Sequence, residues 1–217
     1  MAKWAVFDVD GTLLPKTSME KWFITYAAKR RLIPLKNLFY FFSSALNFTL
    51  KGNWEDAFKG NKLYLKDLPV DRINETSLLF FEKNIVPALS GDGKETIDRY
   101  RSQGYKILIM SGSPEFLTLS LENIFHPEKI ISTNLETRED RYIGQISGMH
   151  LYGKHKTRIL KNLQTELEID FEKSIVFANH HADADHMDLF GEAVAVNPTQ
   201  KLKSIAEEKS WRIEFLA

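Results

Sequence analysis

The chain has no cysteine and no net charge, and each absence excludes a class of chemistry. Without cysteine it cannot form a disulfide, a thiolate nucleophile or a cysteine-ligated zinc site. Lysine and arginine together number 29, as do aspartate and glutamate, so the charge balance gives no indication of nucleic-acid binding. Internal repeats and low-complexity tracts are missing too. The 217 residues therefore predict an ordinary globular protein of one large domain, or of one domain with an insert.

A secretory signal and a transmembrane segment are also missing. Met1–Trp4 runs directly into an apolar strand, which predicts a cytoplasmic protein. The aromatic-rich run Leu38–Leu50 is shorter than the roughly 20 apolar residues that cross a bilayer. We expect it to form a core helix of a helical region. A helix at a membrane interface and a contact in a dimer stay open as alternatives, although membrane contact is not favoured. The oligomeric state is not predicted.

What the sequence does contain is a pair of carboxylates at the end of its first strand. The apolar run Trp4–Phe7 leads into Asp8 and Asp10, which are followed by Gly11 and Thr12. Buried charges are costly without partners, and ligands of open α/β sheets bind at the carboxyl ends of the strands. A structural turn would need one aspartate and not two. The pair therefore indicates a functional site.

The rest of the chain divides into a helical part and an alternating part. Residues 18–89 contain candidate helices and no convincing strand; these helices are Met19–Arg31, Leu35–Leu50, Trp54–Leu65 and Val70–Asn84. From residue 90 onward, strands and helices alternate, which is typical of a parallel sheet with helices on both faces. We predict an α/β fold: a Rossmann-like, doubly wound, mostly parallel sheet formed by residues 1–15 and 90–217. An all-helical cap, residues 16–89, is inserted after the first strand and lies over the strand ends as a lid.

The alternating part predicts the following elements. The helices are Gly93–Gln103, Glu115–Ile124, Lys156–Leu167 and Lys201–Lys209, the last of which is followed by the segment Trp211–Phe215. The strands are Tyr105–Met110, Lys129–Thr133, Ser174–Ala178 and Gly191–Val196, with a hairpin in Asn134–Leu151. Three further polar groups follow apolar strands or open helices: Ser111, Lys154 or Lys156, and Asn179 with Asp183. Parallel strands end along one edge of a sheet, so these groups are expected to converge on Asp8 and Asp10.

Four of these segments resemble, in order, the four motifs of the haloacid dehalogenase (HAD) superfamily of phosphatases. Asp8–Thr12 is similar to the first motif, Ser111 to the second, Lys156 to the third, and Asn179 with Asp183 to the fourth. An insert between the first and second motifs is typical of the phosphoserine-phosphatase-like branch, subfamily IB. Any one motif alone is weak, but four in order on suitable elements form a specific pattern.

The resemblance implies a role for each residue in a Mg²⁺-dependent phosphatase. Asp8 would be the nucleophile and form an aspartyl-phosphate, and Asp10 would act as general acid and then general base. Lys156 would neutralise the phosphate and Asp8; we prefer it to Lys154 because a helix begins directly after it. The implied substrate-binding groups are Thr12, Ser111, Gly112 and Lys156. The implied Mg²⁺ ligands are Asp8, Asp10 through its backbone carbonyl, Asn179 and Asp183.

The chain departs from the family pattern at two positions. The fourth motif usually begins with an aspartate where this chain has Asn179, which supplies an oxygen without a charge. We therefore expect a functional but weaker Mg²⁺ site; the alternative is a catalytically impaired phosphate-binding protein. The glutamate that holds the amino group of phosphoserine corresponds by spacing to Thr17, with Glu20 three residues later. This argues against phosphoserine and leaves a small phosphorylated metabolite or a lipid headgroup as substrate.

A histidine-rich segment offers a third interpretation. His180, His181, Asp183, Asp185 and His186 all carry side chains that bind Zn²⁺ or Mn²⁺. A His/Asp transition-metal phosphoesterase is therefore an alternative, although a polar loop at the mouth of the site explains the same residues. A Mg²⁺ phosphatase accounts for more of the chain.

Overall fold

The core of the protein is a six-stranded parallel sheet. The computed structural model describes residues 1–15, 17–50 and 60–217. Its strands are β1 (Trp4–Phe7), β2 (Lys106–Pro114), β3 (Lys129–Thr133), β4 (Leu135–Arg138), β5 (Arg141–Ile146), β6 (Ile175–Ala178), β7 (Glu192–Val196) and β8 (Arg212–Glu214). The sheet order is β3-β2-β1-β6-β7-β8, and β4 pairs with β5 as a separate antiparallel hairpin. The predicted α/β, Rossmann-like sheet is confirmed.

Strand β1 lies at the centre of the sheet because both of its faces are apolar. All four of its residues are buried, as expected for a parallel strand covered on both sides. On one face the ring of Phe7 stacks on that of Phe177 in β6, with centroids 4.4 Å apart. On the other face Trp4 and Val6 belong to a second apolar cluster. This double burial fixes the point at which β1 ends, and therefore the positions of Asp8 and Asp10.

The helices agree with the predicted pattern but differ in their ends. They are α1 (Met19–Lys29), α2 (Leu35–Leu50), α3 (Val70–Phe80), α4 (Gly91–Ser102), α5 (Glu115–Thr118), α6 (Glu122–Phe125), α7 (Lys154–Leu163), α8 (Ala184–Met187) and α9 (Gln200–Glu208). The predicted helix Glu115–Ile124 is divided by a 3-10 turn at Leu119–Leu121. Strand β2 continues beyond Met110 to Pro114. A 3-10 turn, Leu63–Leu65, ends the segment Trp54–Leu65, whose residues 54–59 lie outside the described part.

Aromatic packing joins the helical segment to the sheet. Phe80 of α3 packs against three rings of α1: Trp22, Phe23 and Tyr26, at centroid distances of 5.8, 5.5 and 5.1 Å. Phe23 in turn contacts Phe116 of α5 at 5.2 Å. These residues form part of one apolar cluster with β1 and β6. We retain the interpretation of residues 16–89 as a cap and of 1–15 with 90–217 as the core.

Residues 35–44 of helix α2 bury only part of their apolar surface. Phe41 is buried, whereas Leu35, Phe39, Tyr40 and Phe42 are more than half exposed. The expected core helix therefore shows an open aromatic face in its described part. In the segments that the structure describes, the helices are all too short or too polar to cross a membrane.

A buried ion pair connects α1 to the segment that precedes α3. Lys62 is completely buried, and its Nζ donates to Oε1 and Oε2 of Glu20 at 2.6 and 2.7 Å. The Tyr64 hydroxyl donates to Oε1 of the same carboxylate at 2.8 Å. Burial, followed by the charge of Glu20, holds the pKa of Tyr64 well above its ordinary value, so Tyr64 remains a donor. The charge of Lys62 is thus satisfied by a single carboxylate.

We predict that Glu20→Ala lowers the free energy of unfolding by about 3–5 kcal/mol, because it leaves the Lys62 ammonium buried without its partner. The double variant Glu20→Leu/Lys62→Met should recover most of this loss, since it removes both charges. The exposed pair Lys209–Asp188 is the control, and Asp188→Ala should cost less than about 1 kcal/mol. Urea denaturation measures all three. An equal effect of Glu20→Ala and Asp188→Ala would contradict the account.

Candidate active site

A cavity of about 1080 Å³ opens at the carboxyl ends of β1, β2 and β6, where α1 and α2 cover the sheet. It brings together predicted site residues as far apart in the chain as Asp8 and Asp183, as expected from the parallel topology. The predicted site residues that line it are Asp8, Asp10, Gly112, Lys156, Asn179 and Asp183.

Lys156 lies between two buried carboxylates. Its Nζ is 2.7 Å from Oδ1 of Asp8 and 2.9 Å from Oδ1 of Asp183. Burial alone would lower the pKa of Lys156, but the charges of Asp183 and Asp8 outweigh it and raise the pKa. Lys154, the other candidate, is exposed at the start of α7. Lys156 is therefore a permanent positive charge inside the cavity.

The two partners of Lys156 differ in their protonation. Burial raises the pKa of Asp8 to about 7; Lys156 opposes this, and the charge of Asp183 adds to it. For Asp183, burial alone would raise the pKa, but the charge of Lys156 outweighs it, so the pKa is lowered. Asp183 is thus the firmly ionised partner, while Asp8 depends on positive charge in the cavity to remain a carboxylate.

Asp10 is held by the start of the cap rather than by a cation. Its Oδ1 accepts a bond from the backbone N–H of Met19, the first residue of α1, at 2.9 Å. Its Oδ2 accepts from the hydroxyls of Ser18 and Ser113, at 3.2 and 3.1 Å. Burial nevertheless raises the pKa of Asp10, because these bonds offset it only in part. Asp10 is therefore suited to hold a proton and to release it.

Gly11 allows Asn179 to lie against the turn that follows Asp10. Its φ of +85° is in the region that favours glycine, and a Cβ there would be 1.9 Å from Nδ2 of Asn179. The Asn179 backbone carbonyl accepts from the N–H of Thr199 at 2.9 Å, which fixes the end of β6 against the start of α9. The amide side chain of Asn179 is thus placed beside the carboxylate pair.

Two of the residues predicted to bind phosphate lie beneath the surface of the cavity. Thr12 and Ser111 are buried and are not part of the cavity lining, whereas Gly112 and Ser113 are. Ser111 accepts a bond from the N–H of Ser113 at 3.1 Å. Sequence reasoning missed Ser113 and Ser18 as partners of Asp10. The signal for Ser113 was the second hydroxyl in Ser111–Ser113, which falls on the same side of an extended strand.

The histidine-rich segment does not form a metal cluster in the part of the chain that is described. No group of three or more His, Asp or Glu side chains there is arranged to hold a metal ion. His186 is buried with its Nδ1 3.7 Å from Oδ1 of Asp183, and burial lowers its pKa to about 4. His180 lines the cavity, and its ring contacts that of His181 at 4.2 Å. His180 thus faces the cavity, whereas His186 packs behind Asp183 as a neutral ring.

Comparison with known proteins agrees with this geometry. Residues 5–188 match the family model of the haloacid dehalogenase-like hydrolases. The chain is 26% identical over 224 residues to a histidinol-phosphatase of Neisseria meningitidis, covering 98% of both chains. It is 22% identical over 214 residues to the phosphoserine phosphatase SerB1 of Mycobacterium tuberculosis, covering 96% of this chain and 69% of that one. A solved structure from Bordetella pertussis, of unknown function, has a TM-score of 0.83 at 19% identity, covering 99% of this chain and 98% of that one.

We predict that Gly11→Ala displaces the side chain of Asn179, since the new Cβ would overlap it. Gly148→Ala is the matched control: Gly148 has a φ of +79°, and a Cβ there would meet no atom within 4 Å. Both variants should lose about 1 kcal/mol of stability from the strained backbone. Only Gly11→Ala should move the side-chain amide resonance of Asn179 in an NMR spectrum. An unshifted resonance would contradict the placement of Asn179.

Proposed function

The chain belongs to the haloacid dehalogenase-like hydrolase family and is a phosphatase of that family, and from this premise we propose that it hydrolyses a small phosphate monoester through an aspartyl-phosphate on Asp8. The observation that carries the proposal is the contact of a buried lysine, Lys156, with Asp8 at the end of a buried strand. Phosphate esters are very slow to hydrolyse in water, so both a nucleophile and charge neutralisation are needed.

The residues around Asp8 fit a Mg²⁺ ion. The candidate ligands are all hard oxygens: the carboxylates of Asp8 and Asp183, the backbone carbonyl of Asp10 and the side-chain carbonyl of Asn179. The close approach of Asn179 to Gly11 supports its inclusion, because a side chain at position 11 would occupy this space. When bound, Mg²⁺ would supply positive charge that favours the ionised form of Asp8 and neutralises the phosphate.

Asp8 attacks the phosphorus atom with a carboxylate oxygen, and the bond between phosphorus and the leaving oxygen breaks. Lys156 holds Asp8 in place and balances charge on the phosphate as the anion approaches an anion. Asp183 contacts the far side of Lys156 and keeps it protonated through the reaction. Gly112 and Ser113 line the cavity next to these groups and contribute polar contacts to the phosphate.

Asp10 gives its proton to the leaving alcohol and later takes one from the water that hydrolyses the aspartyl-phosphate. Its raised pKa lets it carry the first proton at a higher pH than an ordinary aspartate would. The bonds from Met19 and Ser113 stabilise the carboxylate once the proton has left. Because Met19 opens α1, the acid is oriented by the same helix that covers the cavity.

Membership of the family does not by itself identify the substrate. The names of the two relatives given above indicate histidinol phosphate and phosphoserine as their substrates. For this chain we propose a small phosphorylated metabolite as the substrate. Phosphoserine is disfavoured, because Thr17 stands at the amine-binding position and Glu20 is already bonded to Lys62 and Tyr64. A catalytically impaired phosphate-binding protein is the second candidate, since Asn179 removes one negative charge from the metal site.

We predict that Asp8→Asn reduces hydrolysis of phosphate esters to the background rate and that Asp10→Asn reduces it by about 10²–10⁴-fold. Asparagine at position 8 keeps an acceptor for Lys156, so circular dichroism should show an unchanged fold. Asp185→Asn is the control, because Asp185 is exposed and does not line the cavity. It should leave turnover unchanged. Activity that survives Asp8→Asn and fails on loss of His180 would instead support the transition-metal alternative.

Removal of divalent metal with EDTA should abolish turnover, and Mg²⁺ should restore it. Asn179→Asp should lower the Mg²⁺ concentration at half-maximal activity, because a carboxylate binds the ion more strongly than an amide. The measurement is a Mg²⁺ titration of both proteins with a generic phosphate ester. An unchanged titration would show that Asn179 is not a ligand, and a wild type inactive at every Mg²⁺ concentration would support the impaired binding protein.

A further inference from the structure

The cavity is lined by more apolar surface than a phosphate group needs. Beyond the catalytic residues, the apolar side chains that line it include Ile24, Phe41, Phe42, Pro198, Phe215 and Leu216. Two of these, Phe42 from the cap and Phe215 from the core, are exposed to 55% and 74%. Both therefore lie where the cavity opens to solvent. Exposed aromatic rings beside a polar site mark a surface that binds an apolar group.

We infer that the mouth of the cavity binds an apolar leaving group of the phosphate ester, an alkyl or aryl group, between Phe42 and Phe215. The inference rests on the proposed phosphatase activity and specifies its substrate class. The phosphate would lie at Asp8 and Lys156, and the carbon skeleton would extend outward along the rings.

Charge in the outer cavity points to the same class of substrate. Apart from the catalytic residues, the charged side chains that line the described cavity are Glu20 and Lys21. The Glu20 carboxylate accepts bonds from Lys62 and Tyr64, and the buried Lys62 neutralises its charge. An amino-acid head group would need separate partners for its amine and its carboxylate, and Glu20 is already committed. An uncharged leaving group has no such requirement.

Phe42 is supported from behind by a chain of contacts. Its ring packs edge to face on Phe41, and Phe41 packs edge to face on Tyr64, at centroid distances of 5.3 and 5.5 Å. The Phe41 backbone carbonyl accepts a bond from the side chain of Asn61 at 3.0 Å. Tyr64 is bonded to Glu20 of α1. The exposed ring of Phe42 is therefore held in place by residues that are buried and hydrogen-bonded.

Phe215 is held in place by the contacts of the two residues that follow it in the chain. Asn197 bonds both backbone groups of the next residue, Leu216, at 3.0 and 3.2 Å. Ala217 is bonded to Ser90 and Asp92 at the start of α4, at 2.7 and 3.0 Å. Leu216 is buried, so the segment is fixed on the core while the Phe215 ring stays exposed. Two exposed rings on fixed supports cost little entropy when they close on a ligand.

The test is a series of straight-chain alkyl phosphates from methyl to octyl, assayed with Mg²⁺ below their critical micelle concentrations. In wild type, kcat/KM should rise about two- to fourfold with each methylene that the rings cover. Phe42→Ala and Phe215→Ala should flatten this slope. Phe39→Ala is the matched control, because Phe39 is a 68% exposed aromatic on the same helix and does not line the cavity. It should keep the wild-type slope.

A parallel calorimetric titration with the corresponding alkylphosphonates, which cannot be hydrolysed at the carbon–phosphorus bond, separates the two levels of the proposal. If kcat/KM does not rise with chain length in wild type, or still rises in Phe42→Ala and Phe215→Ala, the apolar site is overturned. The proposed phosphatase activity would stand in either case. Phosphonate affinity that rises with chain length, in a protein that turns over no ester, would support the apolar site and contradict the proposed function.

Discussion

The placement of one buried ammonium group between two buried carboxylates is the interaction on which the proposed chemistry depends. Lys156 contacts Asp8 and Asp183 in a region where each charge alone would be costly. The three groups come from the end of β1, the start of α7 and the turn after β6, so the fold must bring three distant segments together. The parallel sheet does this because its strands end along one edge. The site is thus a direct consequence of strand order.

The second constraint joins the cap to the chemistry. The backbone N–H of Met19, which opens α1, bonds Asp10, and the side chain of the next residue, Glu20, accepts from the buried Lys62. Helix α1 therefore orients Asp10, covers the cavity and carries Glu20, the partner of the buried Lys62. A movement of this helix would change the environment of Asp10 and the access of the substrate at the same time. In the proposed reaction, helix α1 would thereby couple substrate binding to proton transfer by Asp10.

The sequence was sufficient for the sheet and for the position of the two carboxylates at the end of β1, because both follow from simple patterns. Trp4–Phe7 is a continuous apolar run before two acids, and it forms the fully buried central strand. Lys62 could not be predicted in the same way. It resembles an ordinary solvated lysine in sequence, and its partner Glu20 is 42 residues away. Ser113 was hidden because β2 continues past the predicted end at Met110. Helix α2 was expected to be a core helix of the helical region, yet in its described part Phe39, Tyr40 and Phe42 are more than half exposed.

The account depends most on the identity of the nucleophile. The most direct measurement is rapid acid quenching of the protein with a ³²P-labelled phosphate ester, followed by peptide mapping of the labelled chain. The account predicts that the label is bound to the peptide that contains Asp8, and that it appears before inorganic phosphate is released. Phosphate release at the first turnover with no labelled peptide, or a label on another residue, would contradict it.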